Sequence, residues 1–167
     1  MKKTIIAALL SAIASVPCLA AENKGNVGVN FSTESVFGIH GEWSLASMAD
    51  NAPVSVQVFL KNYSQDLGSN NTWGTTAIGF AGIYDFSAAA KLDRLTRLGD
   101  RIHPYAGIGA MSVSYNWKGN GPAPAYYGVG GGLYVTAGVR YTFTRQVDAD
   151  FNYNNFGDIT VGANFKF

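Results

Sequence analysis

The chain contains two histidines, His40 and His103, whose side chains could take part in catalysis or bind a metal ion. His40 and Glu42 lie two positions apart, so on a β-strand an imidazole and a carboxylate would share one face. A histidine that moves a proton beside a carboxylate is the arrangement of general acid–base catalysis. His103 is followed directly by Pro104, which favours the start of a strand over a catalytic position. His40 and Glu42 are therefore the candidate acid–base pair of this chain.

Metal and phosphate chemistry have little support in the sequence. The two histidines are far apart, and the only cysteine, Cys18, lies in an N-terminal apolar segment that we expect to be removed. The glycine-rich stretch 128–132 lacks the Lys-Ser or Lys-Thr that completes a phosphate-binding loop. We therefore expect no metal ion and no other cofactor.

The composition excludes several classes of fold and partner. Lys and Arg number 12 against 11 Asp and Glu, so the chain has no basic field that would attract nucleic acid. The 167 residues suit one domain. Only the N-terminus carries a long apolar run, whereas each membrane-spanning helix needs about 20 apolar residues. A helical protein that crosses the membrane several times is therefore excluded.

The N-terminal apolar run has the three parts of a secretory signal peptide. Two lysines supply the positive charge, and residues 5–16 supply the apolar stretch. Small residues at the third and first positions before the cut place cleavage after Ala20, with cleavage after Ala21 as the alternative. We therefore expect export to remove residues 1–20 and to leave 21–167 as a single domain beyond the inner membrane.

The rest of the chain alternates between apolar and polar side chains, which is the period of a β-strand. Seven segments alternate in this way, and turn-forming residues separate them. In the remaining segment, 102–117, apolar residues fall on both faces, and a bulge near Gly107 or Gly109 would reconcile them. The sequence therefore predicts eight strands of roughly 9–12 residues. Residues 87–101 form either a short amphipathic helix or an extension of the strands beside them.

The polar face of these strands favours a membrane barrel over a soluble one. A soluble barrel hides Val, Ile, Phe and Tyr inside, whereas a polar face rich in Gly, Ser, Thr and Asn suits the lumen of a small membrane barrel. The aromatic residues near the strand ends, which we interpret as girdles at the membrane interfaces, are Trp43, Tyr63, Trp73, Tyr84, Phe86, Tyr105, Tyr115, Trp117, Tyr126, Tyr127, Tyr141, Phe143 and Tyr153. The predicted fold is all-β, an eight-stranded antiparallel up-and-down transmembrane β-barrel.

The signal peptide, the eight strands and the ending 161–167 resemble the small outer-membrane β-barrels of Gram-negative bacteria. That group includes the transmembrane domain of outer membrane protein A and the opacity-like surface antigens. The resemblance implies residence in the outer membrane, contact with its lipid, and assembly by the barrel assembly machinery with periplasmic chaperones. It also implies that the machinery recognises the C-terminal aromatic residue and the alternating residues before it, which are Ile159, Val161, Ala163, Phe165 and Phe167.

The alternation also places a set of charged side chains in the lumen. The predicted lumenal residues are His40, Glu42, Lys61, Asp85, Arg140, Asp148, Asp150 and Lys166. Isolated ions are costly away from water, so we expect these groups to pair with one another and with polar neighbours. The interior of an eight-stranded barrel is just wide enough for side chains to fill, so the network should close the lumen.

Three functions remain in competition. The leading hypothesis is a non-catalytic outer-membrane barrel with a structural or surface role in the cell envelope. A lipid-modifying outer-membrane enzyme that uses His40 and Glu42 is the first alternative. A soluble periplasmic barrel that binds an apolar ligand is the second, and it requires a lumen lined by Val, Phe and Tyr.

Overall fold

A computed structural model of the chain describes residues 25–32, 36–46, 52–66, 71–87, 101–119, 129–156 and 158–167. Eight strands account for most of them: β1 (Gly25–Ser32), β2 (Val36–Ser44), β3 (Val54–Asp66), β4 (Thr72–Asp85), β5 (Ile102–Lys118), β6 (Val129–Thr142), β7 (Val147–Asn154) and β8 (Asp158–Lys166). The expected signal peptide and most of the segment 87–101 lie outside the described residues. Within the described ranges, no helix is long and apolar enough to cross a membrane.

The strands form one closed antiparallel barrel in sequence order. The last strand closes on the first, with Val27 opposite Phe165, and the Phe167 amide donates to the Gly25 carbonyl at 3.1 Å. Closure pairs the backbone of both terminal strands and leaves no open sheet edge. The prediction of an eight-stranded antiparallel up-and-down barrel is confirmed.

The barrel is apolar outside and polar inside. Odd-numbered side chains point outward on β1, β2, β6, β7 and β8, and even-numbered ones point outward on β3, β4 and β5. The exposed outward set includes Phe31, Phe37, Ile78, Phe80, Ile108, Leu133, Val139, Phe151, Val161 and Phe165. The buried inward set includes Asn30, Gln57, Thr75, Thr136, Asn152, Asn154, Thr160 and Asn164. This is the reverse of a water-soluble domain and matches a surface that faces lipid.

Strand β5 pairs with both neighbours without a bulge. Its register to β4 and to β6 advances one residue at a time along the whole paired length. Even-numbered residues such as Ile108 and Ala110 face outward, and Met111 and Val113 face the lumen, which is why both faces of this strand are apolar in the sequence. A Cβ at Gly109 would overlap the backbone of β4, so glycine is needed for the close approach of the two strands.

The interpretation of the aromatic residues as interfacial girdles is wrong for five of them. Tyr105 is only 4% exposed inside the lumen. The other four lie on the inward face near the end of the barrel opposite the chain termini, which we call the loop end: Tyr63, Trp73, Tyr115 and Trp117. The outward-facing members are Trp43, Tyr84, Phe86, Tyr141, Phe143 and Tyr153. Tyr126 and Tyr127 lie outside the described residues.

All five inward-facing aromatic residues have odd numbers on β3, β4 or β5, where odd-numbered side chains face the lumen, and four of them lie where strands of unequal length meet. The four central strands have 13 to 17 residues, whereas the other four have 8 or 9. The loop ends of β3, β4 and β5 therefore continue beyond the short strands, and their inward residues face across the mouth of the barrel. There the rings contact one another, as Trp73 and Tyr115 do edge to face at 6.1 Å between centroids.

Candidate lumenal site

The lumen is crossed by an ion pair between opposite walls. Arg140 extends from β6 and meets Glu42 on β2, with Nη1 donating to Oε1 at 3.0 Å and Nη2 donating to Oε2 at 2.5 Å. Ser55 on the neighbouring strand β3 donates its hydroxyl to the same Oε1 at 2.5 Å. Both ions are nearly fully buried. Two parallel hydrogen bonds fix the orientation of the guanidinium as well as its charge.

The same guanidinium lies over the ring of Tyr105, whose hydroxyl is hydrogen-bonded to a second anion. The central carbon of Arg140 is 4.4 Å from the ring centroid of Tyr105 on β5. The Tyr105 hydroxyl donates to both carboxylate oxygens of Asp150 on β7, at 2.9 and 3.2 Å. A cation stacked on a ring is attracted by the electrons of its face. Five strands thus contribute to one connected group of polar side chains: β2, β3, β5, β6 and β7.

Lys61 forms a separate contact towards the loop end of the lumen. Its Nζ donates to the Tyr134 hydroxyl at 2.9 Å and lies 4.8 Å from the centre of that ring and 5.4 Å from the centre of the Phe59 ring. The two rings pack on each other at 4.2 Å between centroids. Among the described residues, Lys61 has no ion pair with a carboxylate. Its ammonium group therefore contacts a hydroxyl and two aromatic faces.

Another ion pair lies at the end of the barrel that holds the chain termini. Lys166 on β8 is 2.6 Å from an Asp148 oxygen on β7 and donates to the Thr142 hydroxyl at 3.2 Å. The lysine side chain is 35% exposed, so water screens this pair more than the Arg140 pair.

Asp85 belongs to a small cluster at the same end of the barrel. It accepts hydrogen bonds from the Ser87 amide at 2.8 Å and from the Ser87 hydroxyl. His103 Nδ1 lies 3.2 Å from the Ser87 hydroxyl and 3.7 Å from Asp85 Oδ2. One ring nitrogen faces both partners, whereas a Ser-His-Asp triad requires the two nitrogens to contact the serine and the carboxylate separately. The cluster therefore has the residues of a triad without its geometry.

All eight charged residues placed in the lumen from the sequence lie on inward faces of the described strands. The structure does not join His40 and Glu42, although they share one face of β2. The Glu42 oxygens are bound by Arg140 and Ser55, and neither ring nitrogen of His40 has a hydrogen-bond partner within the described part of the chain. His40 is 3% exposed. The described residues also contain no cluster of three metal-ligating side chains.

Sequence reasoning missed the aromatic members of the lumenal network. Phe59 has the same parity as Gln57 and Lys61, so the alternation itself placed it inside. Tyr134 likewise shares the parity of Arg140. Tyr105 was not assignable, because the two faces of its strand look alike in the sequence. The Asp85 and Ser87 pair carried a weaker signal, since a carboxylate two residues before a serine often closes a turn.

Comparison with known proteins gives structural likeness only. No family model and no curated protein matches the chain. The N-terminal β-barrel domain of Pseudomonas aeruginosa OprF superposes with a TM-score of 0.52 at 14% identity, covering 87% of this chain and 96% of that one. Neisserial surface protein A gives 0.57 at 20% identity, with 87% and 94% covered. A major outer membrane protein of Thermus thermophilus gives 0.51 at 13% identity, with 87% and 99% covered.

These likenesses extend over nearly the whole of each solved barrel. At identities of 13–20%, the likeness to these solved structures shows the fold alone. The chain has the fold of the small outer-membrane β-barrels that its sequence resembles.

Proposed function

We propose that this chain is a non-catalytic outer-membrane barrel whose closed lumen makes it a structural or surface component of the cell envelope. The observation that carries the proposal is the filled cross-section of the lumen inside an apolar exterior. Arg140, Glu42, Tyr105 and Asp150 join four strands across the interior, and all four are at most 8% exposed. An eight-stranded barrel leaves little room beside such side chains.

The exterior supports lipid as the principal partner. Large apolar side chains on the outward face are strongly exposed, among them Ile108 at 62% and Phe80 at 58%. Exposed apolar area of this extent is costly in water and stable in a bilayer. Outward rings near the termini, including Tyr84 and Phe143, are suited to the interface between lipid tails and headgroups.

The last strand supports a role for the barrel assembly machinery and periplasmic chaperones as partners during biogenesis. Its outward face presents Ile159, Val161, Ala163 and Phe165, with Phe167 directly after it. This strand pairs with β1 to close the barrel, so its edge stays unpaired until closure. An unpaired edge with an apolar face is the feature that a folding factor can bind by strand addition.

No specific observation favours the two alternatives. An enzyme that modifies lipid would need its base to reach a substrate, whereas His40 is buried in the lumen and Glu42 is bound by Arg140. A soluble barrel for an apolar ligand would need an apolar lumen, whereas Asn, Thr and charged side chains line much of the described inward face.

The first experiment compares boiled and unboiled migration of the membrane-extracted mature protein on an SDS gel. A closed membrane barrel resists SDS until it is heated, because its backbone groups are paired within the barrel. We expect a clear shift in mobility and recovery in the outer-membrane fraction. Recovery in the soluble periplasmic fraction without a shift would overturn the membrane assignment.

A second experiment separates a closed barrel from a pore and from an enzyme. In planar bilayers the wild-type protein should show no unitary conductance, whereas a triple variant Arg140→Ala, Glu42→Ala and Tyr105→Ala should conduct.

A strain that lacks the protein should admit a hydrophobic dye more readily, and both wild type and His40→Ala should restore the barrier with unchanged lipid A mass spectra. Altered lipid A in the His40→Ala strain would favour the enzyme.

A further inference from the structure

Two exposed arginines lie at the end of the barrel that holds the chain termini. Arg101 directly precedes β5, and Arg145 lies in the turn between β6 and β7, so both are next to the same end of β6. Within the described ranges, neither arginine has an ion pair with a carboxylate. We call Arg101 and Arg145 the basic rim.

The acidic side chains that the structure describes at this end are already bound by other residues. Asp148 is paired with Lys166, and Asp85 accepts hydrogen bonds from Ser87. In the sequence, the connection 88–100 between β4 and β5 contains three basic and two acidic residues, so its own charge does not reverse the sign. Among the described residues, the basic rim therefore presents a positive charge that no acid neutralises.

The turn that carries Arg145 is held in place by hydrogen bonds on both sides of it. The Phe143 amide donates to the Val147 carbonyl at 3.0 Å, and the Val147 amide donates to the Thr144 hydroxyl at 3.1 Å. The exposed guanidinium thus extends from a fixed backbone, which lowers the entropy that a contact to a partner would cost.

Aromatic side chains place the basic rim at the boundary between lipid and water. Tyr141 and Phe143 lie next to each other on the outward face, with 5.0 Å between ring centroids, and Phe143 is 61% exposed. Ile102 lies opposite Tyr141 in the strand register, so Arg101 begins one residue beyond the level of that ring. Tyrosine rings on the surface of a membrane barrel settle at the level of the lipid headgroups. The basic rim therefore lies beside the headgroups.

A phosphate with net negative charge matches this surface. Guanidinium groups donate pairs of hydrogen bonds to phosphate oxygens, and basic side chains at a membrane surface attract anionic lipids. The apolar outward face of the barrel continues into the basic rim, so a lipid whose tails cover Ile102 and Tyr141 has its phosphate within reach of the arginines. We propose that the basic rim binds the phosphate of an anionic phospholipid in the leaflet next to the chain termini. This inference rests on the proposed membrane role and adds a headgroup preference to it.

Native mass spectrometry of the mature barrel released from mixed nanodiscs tests the proposal, with phosphatidylglycerol as the anionic probe and phosphatidylcholine as the neutral one. We expect the wild type to retain phosphatidylglycerol preferentially. The variants Arg101→Gln and Arg145→Gln should each weaken that binding about fivefold, and the double variant should lose the preference. Lys118→Gln, which removes an exposed cation at the loop end, is the matched control and should bind as the wild type does.

Equal retention of the two lipids by the wild type would overturn the proposal, as would an undiminished preference in the double variant or an equal loss in Lys118→Gln. Every sample is checked for the heat-dependent gel shift. A missing shift in the wild type counts against the membrane role itself, whereas lost selectivity with the shift retained concerns the basic rim alone.

Fluorescence quenching in vesicles locates the bound lipid. Each phospholipid carries a nitroxide near the top of one acyl chain, so its headgroup is unchanged, and a fluorophore is attached to Gln146→Cys beside Arg145. We expect labelled phosphatidylglycerol to quench this fluorophore more than labelled phosphatidylcholine does. A fluorophore on Asn62→Cys, outward near the loop end, should be quenched equally by both lipids. Equal quenching at Gln146, or the same excess at Asn62, would contradict the proposed position.

Discussion

At the residue scale, the lumen stabilises its ions by pairing rather than by access to water. Arg140 and Glu42 share two hydrogen bonds, and Ser55 supplies a third to the carboxylate. The net value of such a pair is small, because both ions lose their hydration when the barrel closes. The loss of one partner is expensive, since it leaves the other as a buried and unpaired charge. A single substitution in this network should therefore destabilise the barrel more than the net contribution of the pair suggests.

The substitution Glu42→Gln tests this asymmetry. It keeps the shape of the side chain and removes its charge, so Arg140 remains buried without the carboxylate to which it is hydrogen-bonded. We expect the free energy of unfolding to fall by about 3–5 kcal/mol, measured by urea titration in lipid vesicles. Asp85→Asn at the part-exposed contact with His103 is the control and should cost about 1 kcal/mol or less. Equal losses in the two variants would contradict the argument.

The substitution Lys61→Met should have the opposite outcome. Lys61 is 1% exposed, and its described contacts are the Tyr134 hydroxyl and the faces of two rings. A methionine of similar length would pack on the same rings without the cost of burying an ammonium group. We expect the free energy of unfolding to stay the same or to rise, and the bilayer conductance to remain absent. A large loss of stability would show that the ammonium has an anionic partner.

At the element scale, the register of β5 determines which side chains reach the lumen. Ala110 and Met111 are adjacent, and only the first is exposed on the outward face. A nitroxide label on Ala110→Cys should be relaxed mainly by lipid-soluble oxygen, whereas a label on Met111→Cys should be shielded from it. Electron paramagnetic resonance in vesicles measures the difference between these neighbours. Similar accessibility at both positions would indicate a bulge and a different register.

Eight strands could be predicted from the sequence, and for seven of them the two faces could be told apart because alternation is a local property. Each of those strands has one face that is consistently less apolar, so the period of two was visible without knowledge of the neighbours. The inward and outward faces of strand β5 could not be assigned, because lumenal Met111 and Val113 are as apolar as outward Ile108 and Ala110. Its register depends on the two strands beside it. The position of Tyr105 in the lumen follows from that register alone.

At the scale of the whole molecule, the inventory of lumenal charges was predictable and their partners were not. Glu42 and Arg140 are 98 positions apart and meet only because the barrel closes with three strands between them on each side. The orientation of the aromatic residues was hidden for a similar reason. Trp73 and Tyr115 are the residue types of a membrane girdle, but they occupy inward-facing positions of β4 and β5 and contact each other inside the mouth of the barrel.

The outward face of the whole barrel is surrounded either by lipid or by water. A single charge added to that face distinguishes the two. Ile108 lies on the outward face of β5 and is 62% exposed. In water Ile108→Lys would cost little, whereas a lysine near the middle of a bilayer costs about 2–4 kcal/mol in a membrane barrel.

We expect Ile108→Lys to lower the free energy of unfolding in lipid vesicles by that amount. Asn62→Lys, also outward but close to the loop end of β3, should cost about 1 kcal/mol or less. Because both variants add the same charge to an exposed position, only a surrounding lipid layer predicts the difference between them. Equal and small effects would mean that water surrounds the barrel, and the proposed role in the membrane would then be lost.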